Sequence, residues 1–195
     1  FAQRQLGEKE LTAAPLGPPS ALTPKPGRPR DPAKKLAGWN LPEAEETREL
    51  ITALGRSGRP ILIGPWLSEA GFELLYWIPF VHWFREHFDV DPHRLVVLSR
   101  GGVSSWYSHI ASRYVDAFSY VTTDEFRDAT NMSGRRKQRR LTPFDISLVR
   151  RVVEAERLGR VRWLHPEAMY RLFLQFWRGV VPISRVEQYT THVPL

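Results

Sequence analysis

Ile61-Leu-Ile-Gly-Pro-Trp-Leu-Ser-Glu-Ala-Gly-Phe-Glu-Leu-Leu-Tyr-Trp-Ile-Pro-Phe80 decides the fold of this chain. The β-branched run over residues 60–63 predicts a short buried strand, Gly64-Pro65 predicts a turn, and an almost wholly apolar helix follows. Ser68 is the expected N-cap of that helix, which should run to about Phe88 and kink at Pro79, where one backbone donor is lost. Leu74, Leu75, Trp77, Ile78 and Val81 surround the helix, so it should be buried on most sides.

Downstream, the same strand, turn and helix recur. Residues 94–99 (Arg-Leu-Val-Val-Leu-Ser) predict a second strand, followed by Arg100-Gly101-Gly102 and a short helix carrying Trp106, Tyr107 and His109. A third strand is expected over 118–121, and Thr122 with Glu125 forms a capping box for the next helix. After a basic loop over 134–140, too polar to pack, Thr142 caps a helix with Pro143 in its first turn and a stripe of Ile146, Val149, Val152 and Val153. Residues 161–164 predict a fourth strand, and His165-Pro166-Glu167 opens a helix whose inward residues are Met169, Leu172, Phe173 and Phe176. Thr190, Thr191 and Val193 read as the start of a further strand. Upstream, residues 42–54 suit a polar surface helix. Strands alternating with helices imply a three-layer, Rossmann-like α/β domain with a mainly parallel sheet.

Two regions differ in composition. Residues 1–38 hold seven of the sixteen prolines, four glycines and a single aromatic, a composition expected to form a disordered, basic tail. Residues 39–195 are the expected folded domain, and 23 aromatics in the chain supply a core. The formal charge of +7 is unevenly spread: the tail carries +4, and Arg135, Arg136, Lys137, Arg139 and Arg140 carry +5, leaving the remainder at −2. Such clustering argues for solvated charge in loops and against a nucleic-acid-binding face. A non-catalytic α/β module that contacts an anionic partner or nucleic acid through residues 135–140 is the alternative reading.

Cysteine is absent, which excludes disulfides and thiolate metal sites. Pro79, His82 and Arg85 interrupt the longest apolar run, so no transmembrane segment is expected. The chain begins at Phe1 without a cleavable-signal pattern, which reads as a fragment or processed piece. Neither G-x-G-x-x-G after a strand nor G-x-x-x-x-G-K-[ST] occurs, and the histidines lack helical metal-ligand spacing, so no metal site is expected.

The loop from Gly64 to Gly71 carries the most specific chemistry. Its glycines permit close backbone approach, but Glu69 would repel a phosphate at the helix start, so a neutral, hydroxyl-rich ligand is expected there. Trp66 is placed to stack on a sugar face, and Glu73 lies four residues beyond Glu69, on the same helix face. Repulsion between these two carboxylates, with burial, would raise a pKa toward that of a useful base. Arg100 with Gly101 and Gly102 reads as an anion-friendly turn. Asp124, His109 and His165 fall near predicted strand ends and stand behind Glu69 as catalytic candidates.

At these residues a resemblance enters. Gly64-Pro-Trp66, with Glu69, Gly71 and Glu73-Leu-Leu-Tyr-Trp77, resembles the opening of bacterial glycosyltransferases of the GT-B fold, over about residues 60–125. The resemblance implies two Rossmann-like domains, the first holding a glycan or other hydroxyl-bearing acceptor and the second a nucleotide-sugar donor. Only one such layer is expected here, the C-terminal domain being absent, so the chain should bind no cofactor itself and should not turn over alone. The location implied is the cytoplasm or the inner membrane face.

Overall fold

A computed structural model describes residues 41–133 and 138–193. The expected N-terminal tail and the expectations for residues 134–137 lie outside the described residues.

Helix α1 (Leu41–Gly55) precedes strand β1 (Ile61–Trp66). A continuous helical run follows: α2 (Ala70–Phe72), a π turn over Glu73–Trp77, and α3 (Ile78–His87). Then come β2 (Leu95–Ser99), β3 (Arg113–Asp116), α4 (Thr123–Ser133), α5 (Pro143–Ala155), β4 (Arg162–Leu164), α6 (Pro166–Trp177) and α7 (Ser184–Glu187). Four strands form one all-parallel sheet in the order β3-β2-β1-β4. The domain is thus α/β, with a Rossmann-like sheet flanked by helices on both faces.

Alternation along β1 and β2 distributes the core. Ile61, Ile63, Leu95 and Val97 face Trp77, Phe80, Phe84, Met169 and Phe173, a layer built by the π turn, α3 and α6. Leu62, Val96 and Leu98 face the other way, onto Leu148, Val149 and Val152 of α5. The α5 stripe is therefore centred on Leu148, with Ile146 and Val153 only half-buried. Helix α1 is less polar than its sequence suggests. Thr47, Ile51 and Leu54 form a buried face at helical spacing, and α1 packs chiefly on α6.

Several expected boundaries are corrected. Gly64-Pro65 is no turn but a bulge inside β1: three steps from Ile63 to Trp66 oppose two steps from Val97 to Ser99. The glycine is required there, since its φ is +110° and an added Cβ would lie 2.1 Å from the Leu98 carbonyl oxygen. Ser68 is not the N-cap. It is buried one residue earlier, and the capping position is Glu69, which makes no side-chain capping bond. The third strand is residues 113–116 rather than 118–121; Ala117–Ser119 is instead a 3-10 turn. Thr191 donates from its backbone to the Pro79 carbonyl at 2.9 Å, and residues 191–193 are irregular where a strand was expected.

Two local readings hold. Thr122 and Glu125 form a reciprocal capping box, with Thr122 N donating to Glu125 Oε2 at 2.9 Å and Glu125 N to Thr122 Oγ1 at 3.1 Å. Thr142 caps α5, with Pro143 in its first turn.

Candidate functional site

In the order β3-β2-β1-β4 the chain steps from β1 to β3 in one direction and places β4 on the opposite side of β1. The crevice outside the carboxyl ends of β1 and β4 is therefore the topological switch point, where open parallel sheets bind ligands. A cavity of about 540 Å³ opens at the end of β1. Leu67, Ser68 and Glu69 line it where the chain leaves β1, Phe126 and Thr130 line it from α4, and Gln138, Arg140, Thr142, Phe144 and Asp145 close it from the start of α5.

Gln138 builds this wall. Its Oε1 accepts from the Leu67 backbone N–H at 2.7 Å, and its Nε2 donates to the Pro65 carbonyl at 2.9 Å. Those two backbone groups flank Trp66 along one edge of β1, so the side-chain amide occupies the place a peptide group of a parallel neighbour would take. Gln138 Nε2 also approaches Asp145 Oδ1 at 3.4 Å. The expectation that residues 134–140 are too polar to pack is thus corrected at Gln138, because an amide offers a donor and an acceptor at the spacing of an unpaired strand edge.

Asp145 is 3% exposed and completes a capping box: Thr142 N and Thr142 Oγ1 donate to its Oδ2 at 2.9 and 2.7 Å. Burial alone would raise its pKa, but His165 and the Thr142 hydrogen bonds outweigh burial and hold it below the ordinary carboxylate value. His165 stands beyond it, with Nε2 3.6 Å from Asp145 Oδ2. His165 Nδ1 accepts from the Glu167 backbone N–H at 3.1 Å, capping α6 and leaving the ring proton on Nε2, toward Asp145. Its acceptor nitrogen is already used, its Nε2 makes no hydrogen bond among the described residues, and the ring is not among the residues that line the cavity.

The other catalytic candidates separate. Glu69 is exposed and lines the cavity. Asp124 is exposed on α4 and pairs with Arg127 at 2.9 Å. His109 is exposed beside His82, with ring centroids 6.3 Å apart, and its carbonyl accepts from Arg85. Neither Asp124 nor His109 lines the cavity.

Glu73 does not join Glu69. Glu69 is the extended residue before the helix, at φ −67° and ψ 134°, whereas Glu73 is wholly buried and its Oε1 accepts from Ser99 Oγ at 2.6 Å and Tyr107 OH at 2.7 Å. Its Oε2 accepts from Arg100 Nη2 at 2.8 Å. Burial, then the Glu73 charge, push the Tyr107 hydroxyl well above its ordinary pKa, so it stays a donor to the carboxylate. Arg100 is therefore spent on Glu73, and Asp116 faces Gly101: a Cβ there would lie 2.6 Å from Asp116 Oδ2. That carboxylate opposes the anion-friendly turn read at Arg100, Gly101 and Gly102, although Gly102 does take φ +80°. Trp66 is likewise a core residue, stacked on Trp77 at 5.6 Å and Tyr170 at 6.3 Å and closed to any sugar. The close approach permitted by Gly64 is to β2, and Gly71 borders open space.

Sequence reasoning missed Gln138, Asp145, Phe126 and Phe144. Asp145 was legible as the third residue after the Thr142 cap; nothing local marks Gln138, whose partner Pro65 is 73 residues away. Among the described residues no group of three or more His, Asp or Glu side chains is placed to hold a metal ion, and no helix is long and apolar enough to cross a membrane. No family model matches the chain, and neither a curated protein nor a solved structure matches it.

Proposed function

We propose that this chain is the acceptor-binding half of a glycosyltransferase, transferring a sugar from a nucleotide donor to a hydroxyl. The observation that carries the reading is the cavity at the end of β1, in which the exposed carboxylate of Glu69 stands beside apolar walls from Leu67, Phe126 and Phe144. Phe126 and Phe144 offer surface to the C–H face of a sugar ring, the part first assigned to Trp66. Gln138 and Asp145 fix the floor, and Thr142 is held as their cap.

In the proposed reaction the acceptor hydroxyl donates its proton to Glu69 as its oxygen attacks the anomeric carbon of the donor. The anomeric carbon–oxygen bond breaks and the nucleotide diphosphate leaves with the electron pair. The donor would sit in a second domain, as the motif resemblance over about residues 60–125 implies. The proposal places the protein in the cytoplasm or at the inner membrane face.

The test is saturation-transfer NMR on the purified chain with a panel of simple glycosides, repeated with Glu69→Gln and Phe144→Ala. Saturable binding that Phe144→Ala weakens and Glu69→Gln reduces without lowering the melting temperature is expected. Absence of saturable glycoside binding, or binding indifferent to both substitutions, would overturn the assignment. In a full-length enzyme, Glu69→Gln should lower turnover by roughly 100-fold or more.

A further inference from the structure

Among the described residues, the cavity lining contains three charged side chains, Glu69, Arg140 and Asp145. Asp145 already accepts from Thr142 and Gln138. Glu69 and Arg140 are both exposed, and among the described residues no ion pair joins them to each other or to any third group. Opposite charges in one cavity that leave each other unpaired, Glu69 at the end of β1 and Arg140 before α5, present two separate recognition points. The Gln138 clamp holds the chain against β1 two residues before Arg140, which itself lines the cavity.

We propose that the ligand of this cavity carries an anionic oxygen group, a phosphate or a carboxylate, bound by Arg140, with its hydroxyl presented to Glu69. This rests on the acceptor-binding reading and names the class of acceptor. A guanidinium presents paired N–H donors at the spacing of carboxylate or phosphate oxygens, which a neutral glycoside cannot use. Glu69 in the same cavity repels an anion placed near it, so the ligand is oriented: charged end to Arg140, hydroxyl end to Glu69. Arg139, adjacent in the chain, adds positive potential on this side, and its charge already acts on Tyr170.

The experiment compares matched probes on the purified chain: methyl glucoside, glucose 6-phosphate, glucuronate and inorganic phosphate, each titrated by NMR at low and high salt. Wild type should bind at least one of the two anionic sugars about tenfold more tightly than methyl glucoside, a difference of about 1.4 kcal/mol, and salt should narrow the gap. Glucose 6-phosphate against glucuronate tells which oxyanion is preferred. Arg140→Gln should remove the preference and its salt dependence, with the melting temperature unchanged. Equal binding of neutral and anionic sugars, or a preference that survives Arg140→Gln, overturns the inference and leaves the acceptor reading standing. Arg140-dependent binding of inorganic phosphate without binding of any sugar supports the anion site and sinks the acceptor reading. No binding by any probe overturns both.

Discussion

Glu73 Oε2 accepts from Arg100 Nη2 at 2.8 Å, with the Glu73 side chain fully shielded and that of Arg100 26% exposed. Removing one partner of such a pair strands a buried charge, and the loss exceeds the net contribution of the pair itself. Glu73→Ala should therefore cost about 3–5 kcal/mol and lower the melting temperature by at least about 6 °C. Combining Glu73→Gln with Arg100→Met should cost less than the two changes summed, because the charges are lost together. Calorimetric scans of the four proteins decide this. Strict additivity would mean that the two side chains are not coupled.

Gly64 is the backbone position least tolerant of change. At φ +110°, with a Cβ site 2.1 Å from the Leu98 carbonyl oxygen, Gly64→Ala adds strain and a backbone clash together. The expected loss is more than about 3 kcal/mol, beyond the ordinary range for point substitutions. Chemical unfolding measures it, with Gly71→Ala as control, since a Cβ there meets nothing within 4 Å. Comparable midpoints for the two variants would contradict the β1–β2 geometry.

Gln138→Ala should cost about 1–3 kcal/mol, because the Leu67 N–H and the Pro65 carbonyl lose their partner where the strand edge is part-buried. Gln138→Glu keeps the acceptor for Leu67 but turns the donor facing Pro65 and Asp145 into a second carboxylate oxygen, and should be as damaging. Hydrogen exchange at the Leu67 amide is the direct readout. Unchanged protection of that amide in Gln138→Ala would show that the clamp is dispensable.

His82 gives the protein an acid-side weakness. Burial lowers its pKa below 6.5, with Arg85 and His109 acting in the same direction and Glu86, 3.4 Å away, opposing them. The unfolded chain then binds the proton more readily, so this stability is complete above about pH 6.5 and declines as pH falls from there toward the folded pKa. His82→Gln should flatten the fall in denaturant midpoint between about pH 7 and pH 5. An equally steep fall in the variant would assign the effect to other groups.

Donor binding is expected to be absent from this chain. Calorimetric titration of Arg140→Gln, which lacks the proposed anion contact, with common nucleotide sugars should show no saturable heat, because the turn at Gly101 is faced by Asp116 and the Arg100 guanidinium is bound to Glu73. A tight isotherm would contradict the proposed division between acceptor and donor halves.

What the sequence determined by itself is the local alphabet of the fold. The apolar runs of β1 and β2 announce strands because every residue in them is buried, and the caps at Thr122 and Thr142 announce helices because their partners lie three residues away. β3 escaped because Arg113-Tyr-Val-Asp116 buries only Val115. Its strand conformation comes from pairing with β2, a contact without a local signature. The candidate site divides in the same way: Glu69 was legible from its place after the first strand, whereas Gln138 reaches the same cavity through hydrogen bonds to Leu67 and Pro65 that span about seventy residues. Glu69 and Glu73 show the limit most plainly. Helical spacing would put them on one face, yet Glu69 is extended ahead of the helix and stays at the cavity, while Glu73 turns inward onto Ser99, Tyr107 and Arg100. Sequence periodicity carries the energetics of neighbours along the chain; which polar group finds which partner across the sheet is decided only when the layers pack.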